Sequence, residues 1–130
     1  MATVAEVMNR DVLAVDPTAS IGEAAEKMMD GGVGAVVVME DMVRMVGIVT
    51  ERDILGAVAQ RARAAEARVR QWMTEDPVTA TLETDVEDAA RTMLEHGFRH
   101  LPVADETGRI VGIASLRRVV AARQAAADRV

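Results

Sequence analysis

The chain repeats itself, and a duplicated sequence has to fold as a duplicated structure. Sliding the sequence along itself by 65 positions, the distance from Val4 to Val69, lays Met8 on Met73, Asp11 on Asp76, Ala24 and Ala25 on Ala89 and Ala90, and Met28 on Met93. The same shift lays Gly32 on Gly97, Val38 on Val103, Arg44 on Arg109, the run from Val46 to Ile48 on that from Val111 to Ile113, and Arg52 on Arg117, with no gap. This divides the chain into a first half, 1–66, and a second, 67–130, each closing with its own helix.

Within each half the apolar residues change period in the same order. "VLAV" (12–15) and "PVTAT" (77–81) read as short strands. A helix-start signal follows each: Ser20 with Glu23 three residues on, and Asp85 with Asp88. Ile21, Ala24, Ala25, Met28 and Met29 then fall on one helical face, as do Val86, Ala89, Ala90, Met93 and Leu94. Gly31–Gly32 and Gly97 stop these helices. "VGAVVVM" (33–39) and "FRHLPVA" (98–104) read as strands partnered by "MVGIVT" (45–50) and "IVGIAS" (110–115), with Gly108 supplying the second hairpin turn. Closing helices are predicted from 51 to about 67 and from 116 to about 128. The fold class is α/β: two β-α-β-β-α repeats, expected to pack sheet against sheet about a pseudo-twofold axis.

Composition narrows the function. Half the residues are apolar, so a chain of 130 residues buries enough surface to fold by itself. No apolar run reaches the length of a membrane span and no signal-peptide layout opens the chain, so a soluble, cytoplasmic protein is expected. With no cysteine there is no thiol nucleophile, disulfide or cysteine metal site. A net charge of −6 and a lone Trp72 and Phe98 disfavour nucleic acid. Ser20 and Ser115 stand at helix starts without an identifiable His–Asp partner set, and "DGGVGAVVV" lacks the Lys-Ser/Thr of a phosphate-binding loop. The chain is not expected to be an enzyme. His96 and His100 have a helical metal spacing, but Gly97 breaks the helix between them, so no metal site is expected. Met39, Met42 and Met45 read as gap-filling apolar residues, and "RARAAEARVR" (61–70) as the solvated end of a helix.

One phrase carries chemistry. "GIVTERD" (47–53) returns as "GIASLRR" (112–118), ending in Asp53 in one copy and Arg118 in the other. Thr50 and Asp53 have the spacing of a helix cap, and equally that of a hydroxyl and a carboxylate offered to a ligand at a helix N-terminus. A guanidinium donates but cannot accept, so Arg118 cannot replace Asp53 as an acceptor. Arg99 and His100 are adjacent in a strand and point to opposite faces, so one of them at most faces a given cleft.

The two stretches "VMNRDVLAVDPTASIGEAAEKMMDGGVGAVVVM…VGIVTERDIL" and "WMTEDPVTATLETDVEDAARTMLEHGFRHLPVADETGRIVGIASLRRVV" resemble tandem CBS (cystathionine β-synthase-type) motifs, a CBS pair or Bateman module. The resemblance covers nearly the whole chain, so no attached enzyme, channel or DNA-binding domain is expected. It implies a regulatory module that takes an adenosine ligand (AMP, ADP, ATP or S-adenosylmethionine) between the motifs, requires no cofactor, forms a homodimer and signals to an effector protein. It further implies that Asp53 accepts from ribose hydroxyls while Thr50 helps hold ribose or phosphate, and that Arg99 or His100 reaches phosphate. Ser115 and Arg118 then mark an altered second site. Leu13, Val33, Ala35 and Ile48 are expected to wall the adenine, with Val78, Pro102 and Ile113 as second-copy counterparts. The competing reading is a ligand-free dimeric adaptor that acts through protein contacts alone.

Overall fold

Each repeat becomes a matching set of elements in the computed structural model, which describes residues 2–128. The first set is α1 (Val4–Val7), β1 (Ala14–Val15), α2 (Ile21–Gly31), β2 (Ala35–Glu40), β3 (Arg44–Thr50) and α3 (Glu51–Ala59). A 3₁₀ turn, Val69–Gln71, stands where α1 stood, followed by β4 (Thr74–Glu75), β5 (Ala80–Thr81), α4 (Val86–His96), β6 (His100–Ala104), β7 (Ile110–Ser115) and α5 (Leu116–Asp128). One sheet runs β1-β2-β3-β4 and the other β5-β6-β7. In both, the short first strand is parallel to its neighbour and the long hairpin is antiparallel.

The local signals act as their chemistry requires. Ser20 Oγ accepts from the Glu23 N–H at 3.1 Å and caps α2. Asp85 caps α4 through the N–H of Glu87 at 2.8 Å, two residues on, rather than through Asp88. Gly32 (φ 63°) and Gly97 (φ 74°) end the two helices in left-handed backbone. In both cases the next N–H, of Val33 or Phe98, returns to the carbonyl of Met28 or Met93.

The two compact units do not coincide with the two sequence halves. One unit is Leu13–Pro77; the other joins the residues up to Val12 to those from Val78 onward. Each lead segment has crossed over, and it does so with the same bonds. Val4 N–H donates to Thr84 O and Val86 N–H to Ala2 O; 65 positions on, Val69 N–H donates to Ala19 O and Ile21 N–H to Ala67 O. Asn9 bridges Ile113 in one unit, and Thr74 pairs with Ile48 in the other. The crossing satisfies backbone groups at the start of α2 and α4 that the helices leave open.

Each unit has its own apolar core. Val15, Ile21, Ala24, Met28, Val36, Val38, Val49, Ala57 and Val69 form one, and Val4, Met8, Val86, Ala89, Ala90, Met93, Leu101, Val103, Ala114 and Val119 the other. The lead-segment residues Val4 and Val69, both fully buried, thus serve the core of the opposite copy's sheet.

The first closing helix is shorter than its sequence predicts. It stops at Ala59 instead of about residue 67, with Arg61 in left-handed backbone at φ 63°. The stretch 61–70 is therefore a set of turns and the 3₁₀ turn, not a solvated helix end. Its carbonyls explain this: Ala64 O and Ala67 O accept the Gly22 and Ile21 N–H groups, both at 2.8–2.9 Å, so they are committed to the start of α2. Met42 also departs from expectation. It is 67% exposed at the tip of the β2–β3 hairpin, in left-handed backbone, and fills no gap.

The equivalent second hairpin tip is tied by its own side chain. Asp105 accepts from the Thr107 hydroxyl at 2.6 Å, the Thr107 N–H at 2.9 Å and the Arg109 N–H at 3.0 Å. The Thr107 hydroxyl is the main reason this carboxyl sits below its usual range; slight desolvation opposes it, and the amides and the charge of Arg109 add to it. Asp16 is lowered in the same way, first by the Thr18 hydroxyl and then by the Thr18 N–H.

Two outcomes are expected. A Cβ on Gly47 would stand 2.5 Å from Met73 Sδ and 2.8 Å from the Thr74 carbonyl oxygen, whereas on Gly112 it would press mainly on the Met8 side chain, which can turn aside. Gly47→Ala should therefore lose about 1–3 kcal/mol in urea unfolding, and Gly112→Ala less. A lowered folded-state pKa stabilises above the unfolded value, about 3.9, and that stability is lost as pH falls through the folded value. The stability advantage of the wild type over Asp105→Asn should accordingly shrink on acid titration below about pH 4.

Candidate functional site

The antiparallel register of β2 and β3 sets Ala35 opposite Thr50 and Val37 opposite Ile48. Side chains alternate along a strand, so these four share one face. Val36, Val38 and Val49 take the other face and belong to the core with α2 and α3. Thr50 ends β3 and is the N-cap of α3, in extended backbone at φ −117° and ψ 170°. The first amide of α3, from Glu51, donates to Gly34 O at 3.0 Å and fixes the helix start against the head of β2.

Asp53 is half-buried one turn into the helix. Its Oδ2 accepts from the Thr50 N–H at 2.8 Å and from Thr50 Oγ1 at 3.2 Å. Among the described residues Oδ1 accepts no hydrogen bond and the carboxylate makes no ion pair. One oxygen therefore caps the helix and the other keeps its acceptor capacity. The arrangement presents a carboxylate, a hydroxyl and a helix N-terminus together at the end of an apolar sheet face.

The second copy has the same frame and different chemistry. His100 stands opposite Ser115 and Pro102 opposite Ile113, on the face equivalent to that of Ala35 and Thr50. Leu116 N–H donates to Arg99 O at 2.8 Å, as Glu51 does to Gly34. Ser115 Oγ accepts from the Arg118 N–H at 3.2 Å, so the cap survives without the acid. The Arg118 side chain instead donates from Nη1 to the Val7 carbonyl at 3.3 Å, at the end of α1.

Of the residues expected at a first site, the structure brings Thr50, Asp53, Ala35 and Ile48 to one sheet face and its adjoining helix start. Leu13 does not join them. It packs against the helix-side core, and a Cβ on Gly31 would strike its Cδ1. Val33 is half-buried in the turn after α2. Val37 was not anticipated, although counting two residues on from Ala35 identifies it. Arg99, exposed, and His100, half-buried, lie in the other compact unit, and alternation places His100 rather than Arg99 on the face of Ser115. Val78 precedes β5 and is 40% exposed. His96 stacks on Phe98, with ring centroids 5.3 Å apart, and its Nδ1 lies 2.8 Å from Thr92 O.

The family model described as "CBS domain" matches residues 4–60 and again 69–125. An uncharacterized 17.7 kDa protein of Acidianus ambivalens is 41% identical over 118 residues, which are 90% of this chain and 71% of that protein. The chain spans 61% of an uncharacterized protein of Methanopyrus kandleri that is 33% identical to it. Among solved structures, a CBS domain protein of Pyrobaculum aerophilum complexed with AMP superposes with a TM-score of 0.83 at 32% identity, covering 90% of this chain and 89% of that one. CBSX2 of Arabidopsis thaliana in complex with AMP gives a TM-score of 0.77 at 30% identity, covering 95% and 97%.

Removing the Asp53 side chain leaves the Thr50 amide without its partner. Asp53→Ala should cost about 0.5–2 kcal/mol in urea unfolding, and Asp53→Asn, whose amide oxygen still accepts, distinctly less.

Proposed function

Because the chain belongs to the CBS-domain family, whose model it matches once in each copy, we propose that it is a regulatory module that binds one adenosine nucleotide, AMP foremost, and does not catalyse a reaction. The observation that carries this reading is Asp53, with one carboxylate oxygen spent on the helix cap and the other uncommitted. A vicinal diol needs an acceptor of that kind, and Thr50 adds a hydroxyl beside it. Ala35, Val37 and Ile48, all three buried, form the aliphatic sheet face that runs up to Thr50, and the adenine is placed in this reading at its edge. The AMP complexes of two relatives at 30% and 32% identity support the choice of ligand. S-adenosylmethionine, ADP and ATP are the alternatives within the same class.

In this reading the copies have divided their roles. The first retains the acid; the second has Arg118, which cannot accept from hydroxyls and is turned to Val7. One ligand per chain follows. The module acts in the cytoplasm as a homodimer that passes its ligand state to an effector protein; Leu55 and Val58 of α3, 69% and 58% exposed, supply apolar surface for the dimer. A ligand shifts such an assembly only by binding one arrangement better than another. The second reading, a ligand-free adaptor, draws its support from Arg118.

A thermal-shift and calorimetry panel of AMP, ADP, ATP, S-adenosylmethionine and NAD tests this. At 100 times its Kd the preferred ligand should stabilise by about 2.7 kcal/mol. Asp53→Asn should weaken AMP at least about tenfold while leaving stability nearly unchanged. A flat panel would favour the adaptor reading instead.

A further inference from the structure

Hydrogen-bond direction at the start of α3 restricts what the Asp53 site can recognise. A carboxylate only accepts, so the Thr50 hydroxyl, 3.2 Å from Asp53 Oδ2, is the donor of that pair. Its single proton is spent inside the fold, and toward a ligand Thr50 Oγ1 offers a lone pair. Oδ2 is filled by this hydroxyl and by the Thr50 N–H at 2.8 Å, whereas Oδ1 takes no hydrogen bond from the described residues. Both side chains are half-buried and so remain within reach of solvent.

The donors that a helix start ordinarily offers are reduced as well. The Thr50 N–H goes to Asp53, and the Glu51 N–H donates to Gly34 O at 3.0 Å. Arg52 is the nearest cation in sequence, but one residue along a helix turns a side chain about 100° away around the axis. It is exposed and makes no ion pair among the described residues. The first helix start therefore presents two acceptors and no matching donor.

The second copy, on the same frame, has the other polarity. There Ser115 Oγ accepts from the Arg118 N–H at 3.2 Å, and the third helical position carries a guanidinium, which only donates. The acceptor pair is a property of the first copy alone, set by Asp53 and by the way Asp53 orients the hydroxyl of Thr50.

We infer that Thr50 and Asp53 together read two free ribose hydroxyls, one donating to Asp53 Oδ1 and the other to Thr50 Oγ1, so that the site takes adenosine ligands substituted at the 5′ position alone. Ligands phosphorylated, cyclised or deoxygenated at the 2′ or 3′ position are turned away. The inference rests on the nucleotide reading above and narrows its ligand class. A 2′- or 3′-phosphate removes a donor and sets an anion against a carboxylate that no cation pairs. A cyclic 3′,5′-phosphate likewise removes a donor, and a deoxyribose does so without adding charge. Thr50 is thereby assigned to the sugar and not to the 5′-phosphate, because its proton is already committed to Asp53.

Calorimetry on the full chain with AMP, 2′-deoxy-AMP, 3′-deoxy-AMP, cyclic 3′,5′-AMP and adenosine 3′,5′-bisphosphate tests this. Each of the four analogues should bind at least about tenfold more weakly than AMP. Thr50→Val removes one of the two acceptors, so one monodeoxy analogue should then bind as tightly as AMP, and Thr50→Ser should keep the wild-type preference. In Asp53→Asn the amide oxygen takes the Thr50 N–H and the amide NH2 turns to the ligand, so the bisphosphate should gain on AMP by at least about fivefold. A purely structural role for either residue moves none of these ratios. For the wild type, equal affinity of AMP and either monodeoxy analogue, or of AMP and the bisphosphate, would overturn this inference and leave the nucleotide reading standing. Retention of both deoxy penalties in Thr50→Val would overturn the assignment of Thr50, and binding of none of the five compounds would overturn both readings.

Discussion

The backbone pairing of each lead segment with the opposite copy's hairpin is the constraint on which the other features depend. Asn9 and Ile113 exchange two hydrogen bonds, of 2.8 and 3.0 Å, and Thr74 takes the matching position against Ile48. That approach leaves no room for a side chain at Gly47, where the Met73 sulfur and the Thr74 carbonyl occupy the space, and at Gly112 it admits one only if the Met8 side chain turns aside. The same segments deliver Val4 and Val69 to the cores and carbonyls to the first amides of α4 and α2. With the hairpins held there, Glu51 and Leu116 find Gly34 O and Arg99 O, and the helix starts bearing Asp53 and Arg118 are placed identically.

Identical placement explains how the copies differ in chemistry at little structural expense. The frame requires a cap hydrogen bond between the N-cap residue and the residue three on. In the second copy Ser115 Oγ accepts from the amide of Arg118; in the first the direction is reversed, and the Asp53 carboxylate accepts from the amide and hydroxyl of Thr50. The side chain at the third helical position is thereby released from the fold in the second copy. Its guanidinium finds a nearby carbonyl at the end of α1, where the positive charge also suits the helix dipole.

Much of this was legible in the residues. The 65-position shift, the caps at Ser20 and Asp85, the glycine stops at Gly32 and Gly97, and the strand β7 from Ile110 to Ser115 all follow from local chemistry that tertiary packing does not contradict. The crossover was not legible, because a lead segment that serves its own copy and one that serves the other leave the same periodic pattern. The early stop of α3 was hidden for a related reason: its Ala and Arg residues favour helix, and only the demand of Gly22 and Ile21 for distant carbonyls turns the chain. Leu13, just before the two-residue β1, packs against the helix-side core, a placement that so short a strand does not reveal by alternation. Asp53 was legible as a residue of interest, but the division of labour between its two oxygens required coordinates.

The crossover also bears on how such a chain can be cut and rejoined in its history. A recombination break at the seam of the repeat, near residue 66, separates both lead segments from the sheets they complete, so neither product inherits a finished unit. Breaks near Leu13 and Pro77 pass around a whole one. The heritable module is therefore offset from the written repeat by about a dozen residues, and shuffling that respects the repeat alone damages both halves at once.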